Sequence, residues 1–339
     1  MTFPYACRSL AAAIFALACA SMSPVSIATE PAKAVHADAA LQHSLDALAQ
    51  RALPATLGIA VLDLSSGASA RVNAEVAFPM MSVFKAPVAA AVLSRVDEGT
   101  LSLQQLVSIT REQVQGGSAI PSVGAHFHGE RMDFTIEQLL KAAVSESDNT
   151  AVNALIRTVG GPDVVMAYFR AHGIDGMRVD LDEAGIGRIF GGLPPGGQVP
   201  EHETDEAAKQ RYNRGYQAFL KDPRNRTTPD AAIVFLQKLQ GGELLSPAST
   251  QRLLALMEAQ TIPNRLRAGL PPGLRFADKT GTSGSLGSRT AAYNDMGIVT
   301  WPDGRKLLIT AFLMDSATTA RERDQLFADI ARTVTAAHP

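Results

Sequence analysis

The chain has 339 residues, 46% of them hydrophobic and 19% charged, which excludes a disordered or fibrous protein and supplies a large core, in one big domain or two lobes. A formal net charge of −2 gives no electrostatic basis for binding nucleic acid or an anionic membrane surface.

The first residues read as an export signal. Arg8 supplies a positive n-region, "LAAAIFALACA" an apolar run too short to span a bilayer, and "SIA" ending at Ala28 a small-residue cleavage site. Both cysteines, Cys7 and Cys19, fall inside this segment, so a chain cut after Ala28 keeps neither thiol nor disulfide. A lipoprotein variant anchored at Cys19 is the lesser alternative, because Ala16 stands where such sites have leucine. No later apolar run has membrane-spanning length.

"DAALQHSLDALAQRAL" has the period of an amphipathic helix, and "TLGIAVLDLSSG" follows as a strand closed by a Ser-Gly turn. A helix from Met80 to Leu93 comes next, and helical segments dominate to about residue 270. Among them, "TIEQLLKAAV" opens with a Thr135–Gln138 capping box. "RFADKTGTSG", "AAYNDMGIVTW" and "KLLITAFLMD" return as strands, the last two joined at Pro302-Asp303-Gly304, and "ARERDQLFADIARTV" closes as a helix. The expected fold is α+β with two lobes. An antiparallel sheet drawn from both chain ends (about 29–85 and 270–339) would carry an inserted all-helical lobe (about 86–269). Residues 188–222 change composition, through "GGLPPGG" to "EHETDEAAKQR", and read as a long surface loop with a short helix or as a lid over a cleft.

Three short motifs stand in order on this frame: Ser82-Val83-Phe84-Lys85, Ser147-Asp148-Asn149 and Lys279-Thr280-Gly281. Each alone is weak; S-x-x-K on its own reads as a helix start with a capping serine and a snorkelling lysine. Together, on a helix start, inside the helical block and on a returning strand, they describe one nucleophilic site. Helical spacing lets Lys85 reach the Ser82 hydroxyl and take its proton. Ser147 offers a second hydroxyl for a leaving nitrogen and Asn149 an amide for a substrate carbonyl, while Asp148 orders the loop. Lys279 adds positive charge on the far wall, and the backbone N–H groups of Ser82 and Thr282 are candidates for an oxyanion hole.

With these motifs the chain resembles the class A serine β-lactamases. "VSESDN", "FADKTGTSG" and "TAAYNDMGI" look most like the PER- and VEB-type extended-spectrum branch. The resemblance implies hydrolysis of penicillins and cephalosporins through a Ser82 acyl-enzyme, with no cofactor and a β-lactam as the small-molecule partner; the export signal makes the expected location periplasmic, and with nothing in the sequence suggesting an obligate interface the expected state is a monomer. It also implies a water-activating glutamate some thirty residues after S-D-N, and Glu183 in "RVDLDEAGIGR" is the matching carboxylate. Three positions depart from the family pattern. Gly187 replaces its asparagine, Leu181 its loop arginine and Asn225 its aspartate, and residues 188–222 then fall inside this loop as an insertion. Arg289, on the strand after K-T-G, is the candidate partner of the substrate carboxylate, against the alternative of a solvated strand-edge arginine. Thr282 and Ser283 match cephalosporin-accepting relatives. His126, His128 and Glu130 lack a convincing third-ligand spacing for a metal. Trp301 reads as a packing residue beside a turn. The competing readings are a D,D-peptidase that β-lactams acylate without release, and a non-catalytic β-lactam sensor.

Overall fold

The computed structural model describes Met1, Thr2 and residues 36–338; the export segment and both cysteines lie outside the described residues. Ala34 to Pro339 forms one compact unit. Strand β1 (His36–Ala37) precedes α1 (Ala39–Arg51), whose N-cap Asp38 accepts from Leu41 N; β2 (Thr56–Asp63), β3 (Ala68–Val72) and β4 (Phe78–Pro79) follow. The chain then makes a 3₁₀ turn, Met81–Phe84, before α2 (Lys85–Asp97) begins, so the helix expected from Met80 starts one turn late.

The inserted block runs through β5 (Leu106–Thr110), the short α3 (Ser122–Ala125), β6 (Arg131–Thr135), α4 (Ile136–Ser145), α5 (Asn149–Val159) and α6 (Pro162–Ala171). It continues with α7 (Glu183–Phe190), α8 (Asp205–Lys221), β7 (Arg226–Thr227), α9 (Pro229–Gln240) and α10 (Pro247–Glu258). The Thr135–Gln138 capping box is present at the start of α4. The block is not purely helical, since β5 and β6 pair as an antiparallel ribbon and β7 pairs with β4. β8 (Arg275–Thr282), β9 (Ser285–Leu286), β10 (Arg289–Thr300), β11 (Lys306–Ser316) and α11 (Ala320–Ala336) close the chain.

Both chain ends build one seven-stranded sheet in the order β1-β3-β2-β11-β10-β8, with β9 beside β10. All its pairings are antiparallel except the two-residue β1–β3 pair. Period-two alternation sends one set of side chains to each face. Ile59, Val61, Ile309 and Leu313 join Leu45 of α1 and Phe327 of α11 on one side. Ala60, Leu62, Leu308 and Phe312 face the helical block on the other. Lys85 to Leu93 of α2 are all buried, as a helix apolar on every side must be, and this helix is the axis on which the block packs. Among the described residues no helix is long and apolar enough to cross a membrane.

Candidate active site

Ser82 sits in the 3₁₀ turn at the seam between sheet and helical block, directly after Met81, whose φ of +47° is rare for a residue with a side chain. β8 crosses this turn at Gly281. A Cβ there would stand 2.4 Å from Met80 O, so the glycine of K-T-G is what lets strand and turn approach.

Lys85, fully buried, needs an acceptor for each of its three protons. Its Nζ donates to Ser147 O at 2.8 Å and Asn149 Oδ1 at 2.5 Å, and lies 3.2 Å from Glu183 Oε1. Ser82 Oγ donates to the same Oε1 at 3.5 Å. The structure therefore links Ser82 to Glu183, the carboxylate standing between the serine and the lysine. Burial pulls the Lys85 pKa below the ordinary lysine value, and the Glu183 charge opposes this.

Ser147 occupies the corner between α4 and α5 at φ +58°, and Asp148 holds that corner as N-cap of α5, accepting from Ala151 N at 2.8 Å and Val123 N at 3.0 Å. This is the loop-ordering part expected of Asp148. Ser147 Oγ accepts from Lys279 Nζ at 3.0 Å and Lys85 Nζ at 3.4 Å. With two ammoniums on its lone pairs, the hydroxyl proton is directed elsewhere. Lys279 is fully buried, and burial first, then repulsion from Lys85, drives its pKa well below the ordinary value. Thr280, also buried, accepts from the Lys279 ammonium through its carbonyl.

Glu183 begins α7, where Asp182 caps the helix by accepting from Gly185 N. Its backbone N–H donates to Asn153 Oδ1 at 2.9 Å. The sequence reading missed Asn153. Its signal was an amide one helical turn after Asn149 on an otherwise apolar stretch of α5, and it is buried there. Gly187, one turn after Glu183, shares its face and lines the same cleft. At the neck of this loop Asn225 replaces an ion pair with hydrogen bonds. Its Oδ1 accepts from Asp180 N and Leu181 N, and its Nδ2 donates to Leu181 O, each at 2.8 Å.

The cleft, about 300 Å³, is lined by Ser82, Asn149, Glu183 and Thr282, together with residues of the 188–222 insertion. That insertion folds differently from a loop with a short helix: α8 takes 17 residues of it. Gly215 of α8 packs on the backbone of Phe190 and Gly192, and Phe190 in turn meets Gly284 beyond β8. His126 and His128 turn their Nδ1 atoms to the carbonyls of Ser122 and His126.

The sequence profile described as the Beta-lactamase enzyme family matches residues 40–337. The chain belongs to the class A β-lactamase family. It is 35% identical to the extended-spectrum β-lactamase PER-1 of Pseudomonas aeruginosa, over 82% of this chain and 81% of that one. Identity to β-lactamase VEB-1 of the same species is 30%, over 83% and 85%. Among solved structures, a β-lactamase from Chitinophaga pinensis matches with a TM-score of 0.74 at 32% identity, covering 88% of this chain and all of that one. PBP-A shares the fold alone, at 23% identity and a TM-score of 0.71 over 90% and 98%.

Two expected site residues of this β-lactamase are not brought to the cluster. Arg289 pairs through its guanidinium with both carboxylate oxygens of Asp315 and lies over the Tyr216 ring at 5.5 Å. It stands four residues along β10 from Tyr293, the partner of Thr282, a distance of about 13 Å on a strand. The Ser283 hydroxyl is spent on Gly284 O and Ala292 N, where it mends the hairpin. The guanidinium that does reach Gly281 and Thr282 belongs to Arg265. It is buried, donates to Thr282 Oγ1, Gly281 O and Asn294 O, and stacks at 4.0 Å on Tyr293. No sequence motif marks it, because Arg265 lies in the segment between α10 and β8 and only the fold carries it to K-T-G.

Proposed function

We propose that Ser82 attacks the carbonyl carbon of the β-lactam amide of penicillins and cephalosporins, forming an acyl-enzyme that water then hydrolyses, an activity that gives its host resistance to these antibiotics. The observation that carries the reading is the convergence of Ser82 Oγ and Lys85 Nζ on one oxygen of Glu183. It supports Glu183 as acceptor of the serine proton, with Lys85 returning charge balance as the carboxylate becomes neutral. As the C–N bond breaks, Ser147 delivers its proton to the departing nitrogen and recovers one from Lys85, which in turn takes the proton held by Glu183, so that the carboxylate is ionised again before water is activated. In the second half Glu183 takes a proton from water, hydroxide adds to the ester carbonyl, and Ser82 leaves with its proton restored. The backbone N–H groups of Ser82 and Thr282 face the developing oxyanion, and Asn149 orients the substrate amide. Lys279, Thr280, Thr282 and Arg265 hold the ring carboxylate.

Steady-state turnover of nitrocefin tests the reading. Many turnovers per enzyme support hydrolysis; a single stoichiometric burst would instead fit a D,D-peptidase or sensor. The protein is proposed to work as a periplasmic monomer after cleavage at Ala28. Edman sequencing of the exported protein is expected to begin at Thr29, and sedimentation to give one chain.

A further inference from the structure

Of the residues lining the cleft, only Phe190 and Tyr212 carry rings, and the Gln115-Gly116-Gly117 stretch of the lining offers no aromatic side chain. Phe190 is committed to its own neighbours, packing edge-on to Tyr216 and Phe219. Tyr212 is different: it is 43% exposed, a large ring left in solvent at the mouth of an active site.

Its position is nevertheless fixed. The Arg211 guanidinium lies over the Tyr212 ring at 4.5 Å, and Arg211 is itself clamped by both oxygens of Glu203, at 2.8 and 2.7 Å, and by Gly191 O. A cation on one face fixes the ring at little entropic cost and leaves the rest of it for another partner. All of these groups come from the insertion, and Gly215 seats α8 against Phe190 and Gly192, so the platform is carried on a packed helix.

Resting on the proposed β-lactam reading, we infer that Tyr212 is a specificity-determining platform that selects β-lactams bearing a flat aromatic side chain on the ring amide. If Lys279 and Arg265 take the carboxylate at one end of the bicyclic nucleus, the acylamino substituent at the other end runs along the Glu183 loop. Tyr212 is the ring it meets there, and offset stacking rewards a planar group over an alkyl chain.

The test compares acylation kcat/KM for benzylpenicillin with that for an analogue carrying a straight alkyl side chain on the same nucleus. Tyr212→Ala is expected to lower the aromatic-to-alkyl ratio by about 3- to 10-fold, the worth of one aromatic contact, and Tyr212→Phe to preserve it. Tyr212→Leu keeps most of the volume and carries the comparison should the alanine variant not fold. A ratio unchanged in both, or equal losses for the two substrates, would overturn the platform while leaving hydrolysis intact. Failure of the unsubstituted enzyme to be acylated by either compound would remove the functional reading, and the platform with it.

Discussion

Lys85 Nζ lies 3.2 Å from Glu183 Oε1 in a site where both side chains are buried. Two opposite charges taken out of water hold each other in place, with the Asp148 carboxylate adding a weaker attraction on Lys85. The pair is what makes a charged lysine tolerable in the first turn of a helix otherwise packed with Val83, Phe84, Val88 and Val92. It also places a carboxylate on the nucleophile, the arrangement that hydrolysis of an ester at Ser82 requires.

The nucleophile is the first point to check. Incubation with a penicillin, quenching and peptide mass spectrometry should place the adduct on the peptide containing Ser82, and Ser82→Ala should give none. An adduct on Ser147, the other hydroxyl in the cluster, would reverse the two serine assignments.

The two arginines are expected to separate. Arg265→Ala removes a buried guanidinium from beside Thr282 and should raise KM for penicillins by an amount equivalent to about 1.5–3 kcal/mol, the worth of a charged hydrogen bond. Arg289→Ala breaks an exposed ion pair with Asp315 and a contact over the Tyr216 ring, and should leave KM within about twofold. Michaelis–Menten curves on both variants decide it; a large effect at Arg289 alone would restore that residue as the carboxylate partner.

What the sequence made legible follows from range. Ser82 and Lys85 stand three positions apart, and Asp148 caps the helix it precedes, so local spacing carried their placement at the site. Glu183 was reachable only through the family resemblance, since no local rule ties it to Ser82, 101 positions away. Arg289 was misplaced because a motif position on a strand does not say where the following hairpin carries it; β9 and the Ser283 turn lengthen the path. Arg265 was invisible for the same reason. The strands and closing helix were readable from their periods, whereas β5 and β6 are only five residues each, too short for the exposed/half-buried alternation of Arg131 to Phe134 to stand out inside a block that reads as helical. The length of α8 was hidden by its polar composition, because its buried side is narrow: Arg211, Gly215, Tyr216 and Phe219.

Asn225 is expected to be worth more to the loop than a surface asparagine. Asn225→Ala would strand two part-buried N–H groups and one carbonyl at the loop neck and should cost about 1–3 kcal/mol of stability. Asn225→Asp is also unfavourable, since it loses the donor to Leu181 O and sets a charge beside Asp180. Chemical denaturation measures the loss; a change below about 0.5 kcal/mol, the range of an ordinary surface substitution, would show that the neck is held elsewhere.

The buried Lys279 sets an alkaline limit. Its pKa is pushed well below 10.5 by burial and by Lys85, so its charge is lost at a lower pH than that of a free lysine. Because the protonated form attracts the substrate carboxylate, KM should rise as pH increases through that lowered pKa, before the ordinary lysine range is reached. The stability linkage has the opposite sense. Between the folded and unfolded pKa values the unfolded chain binds more protons, so this group's contribution to stability grows as pH rises. Lys279→Arg, charged throughout, should shift the alkaline rise in KM upward in a pH profile. An unshifted limb would assign the titration to another group.

Under the proposed mechanism, release of the acyl-enzyme should depend on Glu183 and on what stands at Gly187. Glu183→Gln keeps size and hydrogen-bonding capacity but not basicity, and a positioned base contributes about 10²–10⁴-fold, so turnover should fall at least that far. The geometry adds a second expectation, because the Ser82 hydroxyl also donates to this carboxylate: acylation should slow as well, though less than deacylation, and acyl-enzyme should accumulate in stopped-flow and quench experiments. Normal turnover would turn attention to Asp180, Asp182, Glu201 and Glu203. At Gly187 a Cβ would meet nothing within 4 Å, so a side chain can start there without a clash, on the helical face of Glu183. If the missing amide slows hydrolysis because water lacks a second anchor, Gly187→Asn should raise the deacylation rate and leave acylation unchanged. A slower release would mean that the inserted residues, with Arg211 and Tyr212 at the same cleft, already organise the water in another way.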